Sequence, residues 1–287
     1  MAGSWPWLKL KAHLDNIALS HSVFALPFAY TAAMLAAGGR PSWHDLFWIT
    51  VAMVGARSAA LAFNNLADLR YDRLQPRFRQ RPLVTGAVRP WEAAAVVAGS
   101  LGLFVAAAHQ LHPLAAKLWP LAVIPFFVYP YMKRFSWTSH LVLGVALAGA
   151  PVGAWIAVRG DLGPAVSVLA LAVGGWIAAF DVVYGCLDVA FDKAYGLHSL
   201  PVRVGVARAL AIARLTHAAC VGGFTAVGPL AGLGPLYYGG VAAAAAVLVY
   251  QHSLVSAGDL SRVNQAYFMR NGLVGLLIFI FTALALY

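Results

Sequence analysis

RSAALAFNNLADLRYDRLQPRFRQRPLVTGAVR, residues 57–89, is the stretch around which the rest of the chain is arranged. It starts inside an apolar run that opens near Phe47 and sets Asn64, Asp68 and Asp72 four residues apart, so the three project from nearly one side of a helix. Six arginines follow Asp68 before position 90. Two carboxylates and an amide at the end of a membrane span are costly there and imply a functional partner. Their spacing, followed by cations, suits a divalent metal with an oligophosphate. Hard Mg²⁺ takes carboxylate oxygens, phosphate supplies the remaining ligands, and the arginines neutralise the rest.

Working outward, composition fixes the solvent. Of 287 residues 61% are hydrophobic and 10% charged, whereas soluble domains carry roughly a quarter charged. The apolar residues fall in runs of about twenty, the length a helix needs to cross the hydrocarbon core. Spans are expected near 17–38, 46–67, 91–110, 114–132, 140–158, 165–187, 207–227, 236–255 and 267–286. The expectation is an all-α polytopic membrane protein, one domain over residues 1–287, with nine transmembrane helices around a central cavity. The alternating short strands of a membrane barrel are not seen in the pattern. Cys186 and Cys220 lie inside apolar runs and read as small core residues.

The net charge of +10 could point to nucleic acid, and its placement argues against that. Basic residues gather at Lys9 and Lys11, from Arg70 to Arg89, at Lys133 and Arg134, from Lys193 to Arg208, and at Arg262 and Arg270. Alternate loops hold only Arg40, Lys117 and Arg159. This is the asymmetry of a polytopic protein whose basic loops face the cytoplasm, and the N-terminus is expected on that face. The opening WPWLKLKAHLDNIALSH reads as an interfacial lead-in, since a full-length apolar span follows it with no small-residue cleavage site.

A second polar stretch, DVVYGCLDVAFDKAYGLHSLPVRVG, occupies residues 181–205. Asp181, Tyr184, Asp188 and Asp192 recur at intervals of three, four and four, again expected on one helical face. Asp68 and Asp188 are 120 residues apart, and so are Asp72 and Asp192. Half of the ten acidic residues sit in the two stretches, so the spacing predicts paired acidic motifs at the cytoplasmic ends of helices 2 and 6. Facing one another, such ends could hold Mg²⁺ ions that grip a diphosphate on an apolar tail, with Lys or Arg stabilising the leaving group. An aromatic-rich cavity would stabilise the allylic cation left behind. From the residues alone the reading is a membrane enzyme handling a lipid diphosphate.

The two motifs, NxxxDxxxD at Asn64–Asp72 and DxxYxxxDxxxD at Asp181–Asp192, resemble those of the UbiA superfamily of intramembrane aromatic prenyltransferases. The likeness extends through HSVFALPFAY at 21–30, PRFRQRP at 76–82, YPYMKRF at 129–135 and GLHSLPVRVG at 196–205. Several of these segments are most similar to the MqnP branch, which prenylates 4-hydroxybenzoate in futalosine-route menaquinone assembly. Asn65 departs from the Asp that many ubiquinone-pathway members carry at that position.

The resemblance implies that Asn64, Asp68 and Asp72 hold one metal group and Asp181, Asp188 and Asp192 the other, with Asp68 and Asp188 central to catalysis. It implies diphosphate contacts from Arg81, Lys133 and, more weakly, Arg77, and a cavity position for Tyr184. Arg57 matches the arginine expected to receive the carboxylate of the aromatic acid, which it could clamp bidentately. The substrates implied are a polyprenyl diphosphate and a small aromatic acid in the bacterial inner membrane, with no obligatory protein partner and no nucleic acid. Within the enzyme class dihydroxynaphthoate and haem acceptors rank lower. A transporter is the non-enzyme rival, but its carboxylates belong near the bilayer midplane, away from helix ends rich in arginine.

Overall fold

The computed structural model describes residues 6–17 and 26–287, and says nothing of the side chains of Pro6 and of 265–271. His21, the first half of HSVFALPFAY and the Arg270 side chain therefore lie outside the described residues. All regular structure described is helical. A short α1 (Pro6–Asn16) precedes nine longer helices: α2 (Leu26–Ala37), α3 (Trp43–Asp72), α4 (Pro90–Gln110), α5 (Pro113–Met132), α6 (Ser139–Arg159), α7 (Pro164–Gly185), α8 (Val206–Leu230), α9 (Pro235–Ser253) and α10 (Val263–Leu286). Proline opens α4, α5, α7 and α9, where its missing N–H costs nothing and its φ is already helical.

Among the described residues, six helices are long and apolar enough to cross a membrane: α3 to α8, with α7 continuing to Ala194. These coincide with six of the nine expected spans. The described apolar stretches Leu26–Ala37 and Gly272–Leu286 each adjoin residues outside the description, and the 19-residue α9 is diluted by Tyr, Gly, Gln251 and His252. Helix α3 runs longer than expected, 30 residues to Asp72, so its acidic motif stays inside one continuous helix.

The second motif departs from expectation. After Gly185 the chain tightens into a 3₁₀ turn, Cys186–Asp188, before a short helix Val189–Ala194. A 3₁₀ turn advances three residues per turn where an α-helix needs 3.6, so Asp188 and Asp192 are swung off the face that carries Asp181.

Packing sets the helices around the site. Gly144 of α6 and Gly174 of α7 face each other so closely that a Cβ on Gly144 would collide with the Gly174 carbonyl oxygen, which lets these two backbones touch. Phe28, Trp176 and Phe224 fill the middle of the main core, with the Phe28 ring 5.3 Å from Trp176 and 5.8 Å from Phe224. Beside that core, residues of α2 to α7 enclose an apolar cavity of about 660 Å³. Helix α5, on its wall, contains Pro120, Pro125 and Pro130, which remove three donors from the helical ladder and free the backbone to bend.

Candidate active site

The two acidic stretches meet. Asp68 and Asp72 at the end of α3, Asp188 in the 3₁₀ turn and Asp192 in the helix after it line one narrow cleft. Tyr71, Gln75, Phe78, Pro130, Lys133 and Arg134 complete much of its wall. All come from the same end of the bundle, because α3, α5 and α7 each finish there. Carboxylates at a helix C-terminus oppose the macrodipole, and each of the four is matched by a cation. Arg134 lies 3.8 Å from Asp68, Arg81 2.5 Å from Asp72, Arg77 3.3 Å from Asp188 and Lys133 3.8 Å from Asp192.

Pairing is what lets these charges be buried, since breaking such a pair costs several kcal/mol, about 3–5. Asp72, Asp188 and Asp192 are almost inaccessible, and Asp68 is partly open. Arg77 reaches across from the first stretch to the second, while Arg81 folds back on the first. Both guanidinium groups rest on the Phe78 ring, at 4.8 and 3.8 Å from its centroid. Burial pushes the Lys133 ammonium down, but Asp192, Asp181, Asp188 and Asp68 together outweigh it and hold the group above the ordinary lysine range. Lys133 is thus a permanent cation facing a set of acids.

The cleft is narrow, about 70 Å³, because its paired side chains fill it. Among the described residues no three His, Cys, Asp or Glu side chains are already drawn together as a metal centre. The donor set nevertheless fits a hard divalent ion: four carboxylates share one cleft, and the buried Asp192 Oδ2 has no hydrogen-bond partner.

The cavity adjoins this cleft. Asn64, one turn before Asp68, lines the cavity, and so does Tyr129, whose neighbour Pro130 lines the cleft. Arg57 lies on the same wall of α3, two turns further from the acidic end, among Phe104, Phe126, Trp119, Trp176 and Phe180. A basic group thus lines a chamber whose other walls, Asn64 apart, are aromatic and aliphatic.

Residues 25–273 match the UbiA prenyltransferase family. The chain belongs to that family. With six helices long and apolar enough to cross a membrane among its described residues, it is an integral membrane protein and a prenyltransferase. It is 36% identical to the 4-hydroxybenzoate octaprenyltransferase of Aromatoleum aromaticum over 251 residues, 87% of this chain and 84% of that protein. The enzyme of the same name from Cupriavidus necator is 35% identical over 256 residues, covering 88% of each. An apo structure of a UbiA homolog from Aeropyrum pernix K1 is 35% identical, covers 91% of this chain and 96% of that one, and superposes with a TM-score of 0.83. A UbiA homolog from Archaeoglobus fulgidus bound to GPP and Mg²⁺ shares the fold, with a TM-score of 0.69, 20% identity and coverage of 96% and 99%.

Two residues of the UbiA second motif sit apart from the cleft. Asp181 accepts a hydrogen bond of 2.6 Å from His140 Nδ1, and Tyr184 packs at 4.9 Å against Phe180 with its buried hydroxyl lacking a hydrogen-bond partner. The His140 tautomer follows from its other nitrogen, because Nε2 receives the Leu200 N–H at 3.3 Å and the proton must therefore be on Nδ1. Sequence reasoning missed His140, Gln75 and Tyr129 and treated Arg134 as a topology signal. Tyr129 and Arg134 lie in the YPYMKRF segment quoted for the resemblance. His140 and Gln75 act across 41 and 113 residues, and no local pattern marks them.

Proposed function

We propose that this UbiA-family enzyme transfers a polyprenyl group from its diphosphate to 4-hydroxybenzoate, at the carbon ortho to the hydroxyl, in quinone biosynthesis. Within that reading we assign it to the menaquinone-forming MqnP branch, on the strength of HSVFALPFA and GLHSLPVR. We place nine spans in the bacterial inner membrane with the acidic cleft at the cytoplasmic face, where the basic loops gather. The observation that carries the reading is the meeting of two acidic segments, 120 residues apart in sequence, at the end of an apolar cavity. The relatives named 4-hydroxybenzoate octaprenyltransferase supply the acceptor.

In the mechanism, Asp68 and Asp72, with Asn64 one turn before them, would hold Mg²⁺ from one side and Asp188 and Asp192 from the other, while Asp181 stays with His140 beside the cleft. Bound there, the metal would neutralise the diphosphate as a leaving group. Arg77, Arg81 and Lys133 already face the acids, so an incoming polyanion would draw them onto its oxygens and release the carboxylates. The apolar cavity takes the prenyl tail and excludes water from the allylic cation as the C–O bond breaks. Arg57 clamps the acceptor carboxylate, and with the cavity aromatics, Phe180 backed by Tyr184 among them, holds the ring with its ortho carbon toward the cation. As the new C–C bond forms, the displaced ring proton passes to a carboxylate or diphosphate oxygen.

The test is to incubate membranes containing the protein with Mg²⁺, prenyl diphosphates of several lengths and a panel of aromatic acids, and to weigh the products. A prenylated 4-hydroxybenzoate is expected. Prenylation of another acceptor in its place would overturn the assignment, and metal-driven ion uptake with no prenylated product would favour the transporter.

A further inference from the structure

One contact in the cleft joins the two acidic segments without a charge on the donor. Asp188 Oδ1 is addressed twice, by Arg77 at 3.3 Å and by the side-chain amide of Gln75, whose Nε2 donates at 2.9 Å. Asp68 and Asp72 are paired there with Arg134 and Arg81, and Asp192 with Lys133 and, by a hydrogen bond, with Ser199 of its own segment. We propose that Gln75 is a positioning residue for metal–diphosphate binding, an uncharged clasp that keeps the Asp188 carboxylate aimed across the cleft when the cations leave it. The proposal rests on the reading that Asp188 holds metal.

Three features support the clasp. The first is rigidity. The Gln75 N–H bonds the Tyr71 carbonyl at 3.0 Å, its own carbonyl receives Phe78 N–H at 3.0 Å, and the following Pro76 holds Gln75 in extended backbone, φ −85° and ψ 114°. The side chain therefore springs from a backbone fastened on both sides.

The second is burial. Gln75 is 8% exposed and its bond to Asp188 is buried, so an amide that lost the carboxylate would be left short of a partner at a cost. The third is charge. A metal-bound diphosphate competes strongly for Arg77, Arg81 and Lys133, because they are cations. It competes weakly for a neutral amide. Gln75 thus stays on Oδ1 while Arg77 turns to phosphate, and Oδ2, which neither residue engages, remains for the metal. The clasp also ties the link after the first acidic segment to the second segment, 113 residues away.

The test uses purified full-length protein in detergent. Mn²⁺ binding is followed by electron paramagnetic resonance in the presence of an unreactive thio-analogue of a prenyl diphosphate, beside steady-state kinetics. Gln75→Leu is expected to weaken Mn²⁺ binding by about tenfold or more, the usual loss when a group supporting a metal ligand is removed. It should raise the Mg²⁺ and prenyl diphosphate requirements while leaving the KM for the aromatic acid unchanged. Gln75→Asn, whose amide stops one methylene short, should lose less, and it decides the matter if Gln75→Leu does not fold.

Unchanged Mn²⁺ affinity in the folded variant, or an equal rise in the aromatic-acid KM, overturns the proposal. Asp188→Ala separates the two claims. If that variant binds Mn²⁺ normally, the metal reading fails, and if it loses Mn²⁺ while Gln75→Leu does not, only the clasp fails.

Discussion

The two acidic segments share a four-residue spacing and differ in backbone. The first rides one unbroken helix to Asp72, its carbonyl ladder intact and its end strapped by Arg134, which donates to the Ala67 carbonyl at 2.6 Å and sits 4.6 Å from the Tyr131 ring centroid. The second breaks into a 3₁₀ turn and a short helix, then returns along residues 196–204. That return is fastened from outside: His198 N–H bonds the Lys133 carbonyl at 2.6 Å, Leu197 N–H bonds the Asp192 carbonyl at 2.8 Å, and Leu200 N–H reaches His140. Equal spacing therefore does not mean equal rigidity. A regular helix aims its own carboxylates, whereas an interrupted one depends on neighbours.

The largest expected effect treats the two segments alike. Asp68→Ala and Asp188→Ala should each lower prenyl transfer by about 10²–10³-fold, as losing one stabiliser of developing charge commonly does, with the protein still extracted folded. Full activity in either would show that only one segment carries chemistry. Product formation against Mg²⁺ concentration is the measurement.

Next, Arg57→Ala should raise the KM for the aromatic acid by about 10–100-fold, the worth of hydrogen bonds to a charged group, with little change for the prenyl donor. The reverse split would move Arg57 out of the acceptor site.

The third prediction concerns the fasteners. His140→Ala should destabilise the protein by about 1–3 kcal/mol through the unpaired Asp181 carboxylate and Leu200 N–H, and hydrogen exchange should quicken in 197–204 before it does at the end of α3. Uniform loosening of both segments would erase the contrast.

The smallest effect belongs to the first segment. Asn65 donates from Nδ2 to the Asn16 carbonyl at 2.7 Å and so docks α1 against α3, a role open to an amide and closed to an ionised Asp. Asn65→Asp should cost about 1 kcal/mol and expose α1 to limited proteolysis, with prenyl transfer nearly intact.

Much of this architecture is legible without coordinates because the bilayer imposes it. Runs of twenty apolar residues must be helices, since no other open structure satisfies its backbone there. The acids at 68, 72, 188 and 192 stand out because charge is rare in such runs. Less legible was the break at 186–188: Gly185 and Cys186 are compatible with a continuing helix, and only packing shows why Gly185 matters, since a Cβ there would sit 3.1 Å from His140 Cε1.

By itself, then, the chain's order of residues determined an α-helical membrane prenyltransferase of the UbiA family with two acidic motifs, because spacing and hydropathy are local quantities written along the chain. Which carboxylate meets which cation, that Asp181 turns to His140, and that Gln75 reaches Asp188 were decided only by the tertiary structure. Such contacts depend on how distant helix ends are brought together, and pairing across a cleft leaves no periodic trace in sequence.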